Sequence, residues 1–449
     1  MIRLFNITII CLLSQVWAGE DRKPNIILIV ADDLGYADVG YHGCKDIPTP
    51  HIDSIARRGV QFTHGYANAA VCSPTRAAML TGRYQHRFGC EYHIGQFRRS
   101  PELKIGLPLE EKTIAERLKP LGYATAMFGK WHLGGEVLQD RSIMPSSRGF
   151  DKFFGVLEGA SLYGDVKNRE RKYRRGYALV DGEPEYLTDA FGREAVSFIK
   201  LHHKQPFFLY LPFTAPHAPR QIKPEHMEKF KHINPLIRRE LVGMVYSLDQ
   251  NIGRVLSTVK EVGIEGNTLV IFLSDNGGKP NDNGSLNHPL RGQKTQYYEG
   301  GIHVPFCMMW PGKIERGTKY HNPVIGMDLF PTILKLAGGE VKPDWDIHGT
   351  DLMPYLTGKN EGRPHETIFW KSNKHYAVRH KDWKLVKQGA QMELFNLAED
   401  LSESNDLANK HPELVQQLLK KYHAWDSQNI PPSFGHHPSI GEKIERVPR

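Results

Sequence analysis

The sequence predicts an α/β protein with a large, doubly wound sheet of mixed but mostly parallel strands flanked by helices, followed by a smaller C-terminal α+β domain. Short apolar runs alternate with helical patterns along most of the chain, which is typical of a doubly wound sheet. Shorter, turn-separated runs replace them near the C-terminus. A chain of 449 residues also exceeds what one core usually holds, so two units are expected.

Five apolar runs are the strand candidates of the large domain. Continuous apolar runs favour strands that helices cover on both faces, as in parallel sheets. The runs are residues 25–31, 123–128, 207–213, 268–274 and 303–310.

Helical patterns lie between these runs. Thr113 and Glu116 have the spacing of a capping box, which predicts a helix that ends near Gly122. Residues 236–263 carry apolar side chains at helical spacing, and Thr188 is expected to cap a helix that ends near Ile199.

The pattern changes after about residue 358. Four short runs predict an antiparallel meander at residues 367–370, 376–380, 383–387 and 392–396. Residues 413–425 then predict one amphipathic helix, and an irregular tail follows Asn429. We therefore expect a catalytic domain at residues 19–359 and a C-terminal domain at residues 360–449.

The first 18 residues have the layout of a secretory signal. Arg3 precedes a mostly apolar run, and small residues lie three and one positions before a cleavage point after Ala18. A membrane anchor is the alternative, although the run is short for a full span. The mature protein is expected to be exported, periplasmic or secreted, without a membrane anchor.

Composition excludes few functions. The formal net charge of +8 favours anionic partners, but it does not distinguish nucleic acid from acidic polysaccharide. Cys44, Cys72, Cys90 and Cys307 remain after signal removal. If Cys72 is chemically special, the other three allow at most one internal disulfide.

Reactive groups follow four of the strand candidates. Asp32 and Asp33 follow the first, Lys130 and His132 the second, His217 the third, and Asp275 and Asn276 the fourth. Ligands of open α/β sheets bind at the carboxyl ends of the strands. These groups are therefore expected to meet at one edge of the sheet.

Oxygen donors dominate this set. Asp32, Asp33, Asp275 and Asn276 offer three carboxylates and one amide, and no His or Cys pair stands at zinc spacing. Such donors favour Ca²⁺ or Mg²⁺, and calcium tolerates ligands from separated segments better. The alternative is that both pairs only form turns after strands.

The segment Cys72-Ser-Pro-Thr-Arg76 predicts the start of a helix. Ser73 suits the N-cap, Pro74 the first turn and Gly82 the end. Cys72 would lie at the positive end of this helix, which lowers the pKa of a thiol. The alternative is a buried or disulfide-paired cysteine.

Cys72-x-Pro-x-Arg76, continued by Ala-Ala-Met-Leu-Thr-Gly-Arg83, resembles the signature of the type I sulfatases of the alkaline phosphatase superfamily. The resemblance to bacterial polysaccharide sulfatases extends over nearly the whole mature chain. Matching segments are Pro24 to Gly35, Gly129 to Gly134, Ala215 to Pro219, Ser274 to Gly278 and Arg291 to Lys294.

This resemblance implies a sulfate ester hydrolase whose Cys72 is oxidised to formylglycine by a formylglycine-generating enzyme or maturase. The hydrated aldehyde would be the nucleophile and would bind calcium beside the four oxygen donors named above. No nucleic acid partner is implied. The catalytic set implied by the resemblance is Cys72, Arg76, Lys130, His132, His217, Asp275 and Lys294.

The resemblance also implies their roles. Asp275 would take a proton from the nucleophile, while Arg76, Lys130 and Lys294 would neutralise sulfate. His217 or Lys294 would protonate the leaving alcohol, and His132 would deprotonate the second hydroxyl to release sulfate.

The substrate is expected to be a sulfated galactan such as carrageenan, or a glycosaminoglycan. Residues 163–177 are either a solvated loop or a rim that binds further sulfates. Departures from the family pattern at residues 295–298 and at His303 are expected to reshape the pocket. The candidate rim residues are His93, Arg98, Arg99, Lys167, Arg169, Arg171, Lys172, Arg174, Arg175 and His288.

Two other functions remain open on the sequence. The same set of residues is suited to reactions at a tetrahedral phosphorus atom. A formylglycine-dependent phosphodiesterase or phosphonate monoester hydrolase is therefore one alternative. A non-enzymatic binder of sulfated glycans, with Cys72 unmodified, is the other.

Overall fold

A computed structural model describes residues 22–93, 106–134, 140–164, 173–180 and 185–432. Within these ranges no helix is both long and apolar enough to cross a bilayer. The predicted signal segment, the end of the tail and six rim candidates lie outside the described residues. Those six are Arg98, Arg99, Lys167, Arg169, Arg171 and Lys172.

The large sheet forms where the apolar runs were predicted. In the described part of the chain it has ten strands in the order β11-β2-β10-β9-β1-β8-β4-β5-β6-β7, and β3 pairs with β12 beside it. The strands are β1 Asn25–Ala31, β2 Val60–Phe62, β3 Gly65–Tyr66, β4 Ala124–Lys130, β5 Lys152–Val156, β6 Tyr173–Arg175, β7 Ala178–Val180, β8 Phe207–Pro212, β9 Thr268–Ser274, β10 Phe306–Met309, β11 Thr318–Tyr320 and β12 Val324–Ile325.

The centre of this sheet is parallel. Strands β9, β1, β8, β4 and β5 run in one direction, while β10 is antiparallel to β9 and β6 is antiparallel to β5. Every residue of β1, β8 and β9 is buried. The mixed, mostly parallel sheet is therefore confirmed.

Helices cover both faces of the sheet. Ile26 and Leu28 pack into one core with residues of α2, α3 and α9, whereas Ile27 and Ile29 pack into another with α1, α4 and α6. The helices are α1 Pro50–Arg58, α2 Cys72–Thr81, α3 Ile114–Leu118, α4 Leu187–His202, α5 Pro224–Lys229, α6 Leu236–Glu261, α7 Pro280–Asn283, α8 Glu299–Ile302, α9 Leu329–Leu336 and α10 Met353–Leu356.

A four-stranded antiparallel sheet and one helix follow, as predicted. The sheet has the order β13-β14-β15-β16, with β13 Thr367–Ser372, β14 His375–His380, β15 Trp383–Gln388, β16 Gln391–Asn396, and then α11 Pro412–Asp426. Trp370 is buried, and its indole donates a hydrogen bond to the Ala67 carbonyl at 2.8 Å. The C-terminal sheet thus packs directly on the large domain.

Of the three helix N-caps predicted from the sequence, one is confirmed and two are wrong. The capping box of Thr113 and Glu116 is confirmed. Thr188 is not a cap, because α4 starts one residue earlier, and Ser73 is not a cap, because α2 starts at Cys72 with Val71 as its N-cap residue. Burial of these segments outweighs the local capping preference.

No disulfide joins the cysteines. Cys44, Cys72, Cys90 and Cys307 are all free thiols among the described residues. A packed core therefore holds the described part of the chain together without disulfides.

Candidate active site

The strand ends place the predicted residues at one edge of the large sheet. Ala31 at the end of β1 pairs with Ser274 at the end of β9, so the Asp32 and Asp275 that follow are neighbours. Lys130 is the last residue of β4, which is separated from β1 by β8 in the sheet, so Lys130 lies at the same edge. Parallel pairing thus brings the candidate groups together.

Three buried carboxylates face three buried cations at this edge. Lys130 Nζ lies 2.6 Å from Asp32 Oδ2, and Lys294 Nζ lies 2.7 Å from Asp33 Oδ2. The remaining pair is Arg76, whose Nε and Nη2 donate to Asp275 Oδ2 at 3.0 and 2.7 Å. We call these six residues the site cluster.

Charge and burial act in opposite directions on these groups. Burial raises the pKa of the Asp33 carboxyl, but Lys294 and His217 outweigh it and hold the pKa below its ordinary value. The pKa of Asp275 is raised by burial and by repulsion from Asp32. Asp275 therefore accepts a proton more readily than Asp33 does.

Cys72 lies in the middle of the site cluster. It is the first residue of α2 and is fully buried, with Sγ 3.5 Å from Asp32 Oδ1 and 4.0 Å from Asp33 Oδ1. Burial raises the pKa of its thiol well above the ordinary value, although Lys130 and Lys294 oppose the rise. The lowered thiol pKa predicted from the helix terminus is therefore wrong, because desolvation exceeds the helix field.

His217 approaches the same carboxylates from the segment after β8. Its Nε2 lies 3.5 Å from Asp33 Oδ2. Burial lowers the pKa of the His217 imidazole to about 4, although Asp33 opposes the change. One ligand atom from each of Asp32, Asp33, Cys72 and His217 lies within 4.8 Å of the others.

His132 is the next predicted residue of the site. Its backbone has a φ of 56°, a left-handed conformation that is uncommon for a side chain of this size. The ring stacks on that of His93, and a Cβ at Gly159 would lie 2.6 Å from its Cε1 and Nε2 atoms. The absence of a side chain at Gly159 therefore makes room for the His132 ring.

The oxygen donors fit a hard cation. Asn276 Nδ2 donates to Asp33 Oδ1 at 2.7 Å, while the buried Asn276 Oδ1 has no hydrogen-bond partner among the described residues. A buried amide oxygen next to three buried carboxylates matches the ligands that Ca²⁺ prefers.

A second group of possible metal ligands was not expected, because the spacing of His and Cys in the sequence predicts no zinc site. The fold nevertheless brings ligand atoms of Cys72, His93 and His132 within 4.8 Å of one another.

Several supporting residues were missed by the sequence analysis. Asn283 Nδ2 donates to the Asp33 carbonyl at 3.0 Å. Asn287 Oδ1 accepts from Gly278 N at 2.8 Å, and the Gly278 carbonyl accepts from Lys294 N at 3.0 Å. These contacts hold the loops that carry the charged groups in place. The only sign of them in the sequence is the high frequency of Asn and Gly after β9.

The rim candidates that the structure describes divide into two sets. His93 reaches the site, as its stacking on His132 shows, whereas His288 is exposed. Arg174 is buried and donates to the Tyr177 carbonyl, and Arg175 forms two hydrogen bonds to Glu194. Both arginines therefore have partners within the protein, and their role as rim residues stays a prediction.

The two departures from the family pattern also lie inside the protein. Tyr297 and Tyr298 pack into the core shared with the C-terminal sheet. His303 is fully buried, with Nδ1 2.9 Å from Glu299 Oε2. Tyr297, Tyr298 and His303 therefore lie near the junction between the two sheets, and the expected effect of residues 295–298 and His303 on the substrate pocket or its rim stays a prediction.

Comparisons with known proteins agree on one family. The family model described as Sulfatase matches residues 24–339, and the one described as N-sulphoglucosamine sulphohydrolase, C-terminal, matches residues 292–428. Arylsulfatase J of Mus musculus is 30% identical over 468 residues, covering 91% of this chain and 77% of the mouse protein.

The names of two further matches include a carbohydrate. N-acetylgalactosamine-6-sulfatase of Mus musculus is 33% identical over 388 residues, covering 82% of this chain and 72% of its own. The crystal structure of Ps i-CgsB in complex with k-i-k-neocarrahexaose is 36% identical, with a TM-score of 0.87, covering 94% of this chain and 96% of that one. The chain therefore belongs to the sulfatase family and is a sulfuric ester hydrolase.

Proposed function

We propose that this sulfatase removes sulfate from a sulfated carbohydrate, and that its nucleophile is a formylglycine made from Cys72. The observation that carries the proposal is the position of Cys72 among three carboxylates and three cations. A buried thiol with a raised pKa is a poor nucleophile. The hydrated aldehyde instead offers hydroxyl groups where the carboxylates can accept their protons.

Asp32, Asp33, Asp275 and Asn276, with an oxygen of residue 72, are the proposed ligands of one calcium ion. When bound, calcium supplies positive charge that acidifies a coordinated hydroxyl and polarises the sulfate group. Lys130 and Lys294 now neutralise Asp32 and Asp33. When these carboxylates hold a dication, the two ammonium groups have positive charge available for the substrate anion.

The first step is an attack on sulfur. Asp275 takes the proton from one hydroxyl of residue 72, and its raised pKa suits a proton acceptor. A new bond forms from that oxygen to sulfur, while the bond from sulfur to the sugar oxygen breaks. Lys294 donates the proton that the sugar oxygen takes up, or His217 does so once the negative charge of the bound substrate has raised its pKa. Arg76 keeps Asp275 in position through two hydrogen bonds.

The second step releases sulfate from residue 72. His132 takes the proton of the remaining hydroxyl, the carbon–oxygen bond to sulfate breaks, and the aldehyde is restored. His132 is suited to this role because burial lowers the pKa of its imidazole, which leaves the ring neutral and able to accept a proton. Its ligand atom lies within 4.8 Å of Cys72 Sγ.

A sulfated galactan such as carrageenan, or a glycosaminoglycan, is the proposed substrate class. The support is the likeness to a protein solved with k-i-k-neocarrahexaose and to an N-acetylgalactosamine-6-sulfatase. The two lysines of the site cluster add the charge that an anionic substrate requires. Export, from the first 18 residues, remains part of the proposal.

Mass spectrometry of the peptide that contains Cys72, combined with assays on sulfated substrates, tests this proposal. Protein made with a maturase should carry formylglycine at position 72 and release sulfate from defined sulfated oligosaccharides. Cys72→Ala should retain the fold and lose turnover. Full activity with an unmodified thiol at position 72 contradicts the mechanism, and faster hydrolysis of phosphodiesters than of sulfate esters contradicts the substrate class.

Elemental analysis tests the metal. Active protein should contain one calcium per chain, and Asp32→Ala should lose both the metal and the activity. Active protein free of any divalent cation, or protein that contains zinc in place of calcium, contradicts the assignment.

A further inference from the structure

His93 lies beside Cys72 and His132 but has no part in the chemistry described above. Its ring stacks on that of His132, with centroids 5.2 Å apart and planes at 18°. A ligand atom of His93 also lies within 4.8 Å of Cys72 Sγ. His93 is therefore close enough to contact a substrate that reacts at position 72.

One nitrogen of His93 lacks a partner. Nδ1 is buried and makes no hydrogen bond with the residues that the structure describes. The ring cannot easily turn to find one, because His132 stacks on it and Tyr92 meets it edge-on at 4.6 Å. A buried polar atom without a partner is costly, so a bound molecule is the natural source of the missing hydrogen bond.

The chemistry of the site indicates which group this molecule presents. Lys130 and Lys294 already provide donors and positive charge for the sulfate oxygens. A sulfate oxygen only accepts hydrogen bonds, whereas a sugar hydroxyl both donates and accepts, and can pair with Nδ1 of either imidazole tautomer. Of the groups on a sulfated sugar, a hydroxyl near the reacting ester fits His93 best.

We propose that His93 binds a hydroxyl of the sugar that carries the scissile sulfate, and so favours carbohydrate sulfates over simpler sulfate esters. This inference rests on the proposed function, because it takes position 72 as the reacting centre. It assigns His93 to substrate recognition, separately from the proton transfer assigned to His132.

Two variants separate recognition from support of His132. His93→Phe keeps an aromatic ring against His132 but removes both nitrogens, and His93→Asn keeps a polar atom near the position of Nδ1. Each is assayed on a sulfated oligosaccharide and on 4-nitrophenyl sulfate, which has no hydroxyl. His348→Phe is the matched control, since His348 also packs edge-on against a tyrosine, Tyr84.

With His93→Phe, kcat/KM for the oligosaccharide should fall about 10-fold further than kcat/KM for the aryl sulfate, because only the sugar loses a hydrogen bond. His93→Asn should recover part of this difference, and His348→Phe should keep the wild-type ratio. Equal losses on both substrates, or no loss on either, overturn the proposal.

A measurement on the wild-type protein covers the case in which the variants do not fold. Monosaccharide sulfates that lack one hydroxyl beside the sulfate are compared with the parent sugar. At least one deletion should lower kcat/KM about 10-fold, and no effect from any deletion overturns the inference. If the wild-type protein hydrolyses neither sugar nor aryl sulfate, the proposed function itself fails.

Discussion

Two clusters of buried charge among the described residues differ in where the fold places them. The site cluster stands at strand ends, around Cys72. The second, which we call the Glu299 cluster, joins α8 to the C-terminal sheet through Glu299, Lys384 and Glu403. Lys384 Nζ lies 2.7 Å from Glu299 and 2.8 Å from Glu403, all three side chains being fully buried.

The comparison shows that buried charge alone does not identify a catalytic site. In the Glu299 cluster, Lys384 lies in a regular strand, and Glu299 also accepts from Tyr66 Oη at 2.7 Å. Asp33 of the site cluster and Glu403 of the Glu299 cluster both have left-handed backbones, at φ values of 64° and 55°, so this feature does not separate the two. In the site cluster, however, a cysteine lies between the carboxylates. We infer that the first cluster serves the reaction and the second holds two sheets together.

The largest expected effect is on activity, from Asp275→Asn. Removing the proposed proton acceptor, which is also a proposed metal ligand, should lower kcat by about 10³- to 10⁵-fold. The melting temperature should change little, because the ionised Asp275 is disfavoured by burial and by Asp32, and the amide oxygen still accepts from Arg76. Kinetics and thermal unfolding measure the two effects.

Asp282→Asn is the control for this variant. Asp282 is partly exposed and pairs with Lys279 outside the site cluster, so both kcat and the melting temperature should stay near wild type. A large fall in the melting temperature of Asp275→Asn, with normal kcat in the remaining folded protein, would reverse the roles assigned to the clusters.

The next effect is on stability, from Lys384→Met. This change leaves Glu299 and Glu403 buried without their shared cation, so the free energy of unfolding should fall by about 3–5 kcal/mol. Urea denaturation measures it. Lys381→Met is the matched control, because Lys381 pairs with Glu366 at an exposed position, where an ion pair contributes about 0–1 kcal/mol. Equal losses in the two variants would contradict the inference.

The smallest expected effect is a pH dependence that comes from Glu403. Burial raises the pKa of its carboxyl from 4.5 to about 7, with Lys384 opposing the rise and Glu299 adding to it. The folded state therefore holds this proton more tightly than the unfolded chain does. The resulting stabilisation, about 3 kcal/mol, is complete below pH 4.5 and is lost as the pH rises through about 7.

Glu403→Gln mimics the protonated carboxyl and tests this dependence. Between pH 5 and 8 the free energy of unfolding of the wild type should fall relative to that of the variant. Parallel curves for the two proteins across this range would show that Glu403 does not carry the dependence.

The sequence predicts the centre of the fold well because its signals are local. The apolar runs at residues 25–31 and 268–274 match β1 and β9 in full, since both strands are buried on both faces. The short strands β2, β6, β7 and β11, at or next to the edges of the sheet, have two or three residues in each pairing, which leaves no pattern to detect.

The candidate site likewise has features that the sequence predicts and features that it does not. Strand-end placement predicts that Asp32 and Asp275 meet, because parallel pairing follows from topology. The thiol pKa of Cys72 was predicted in the wrong direction, since desolvation depends on packing that no local motif encodes. Contacts between distant segments, such as Glu299 with Lys384 or His93 with His132, leave no sequence spacing to read.

The burial of α2 has a consequence for when the proposed oxidation of Cys72 can occur. Every residue from Cys72 to Thr81 is buried, and Cys72 has no exposed surface. An enzyme that carries out the proposed oxidation needs access to the Cys72 side chain, which the folded chain does not offer. Under the proposed mechanism the oxidation therefore precedes the packing of α2, and a chain that folds with its thiol intact would stay inactive until it unfolds.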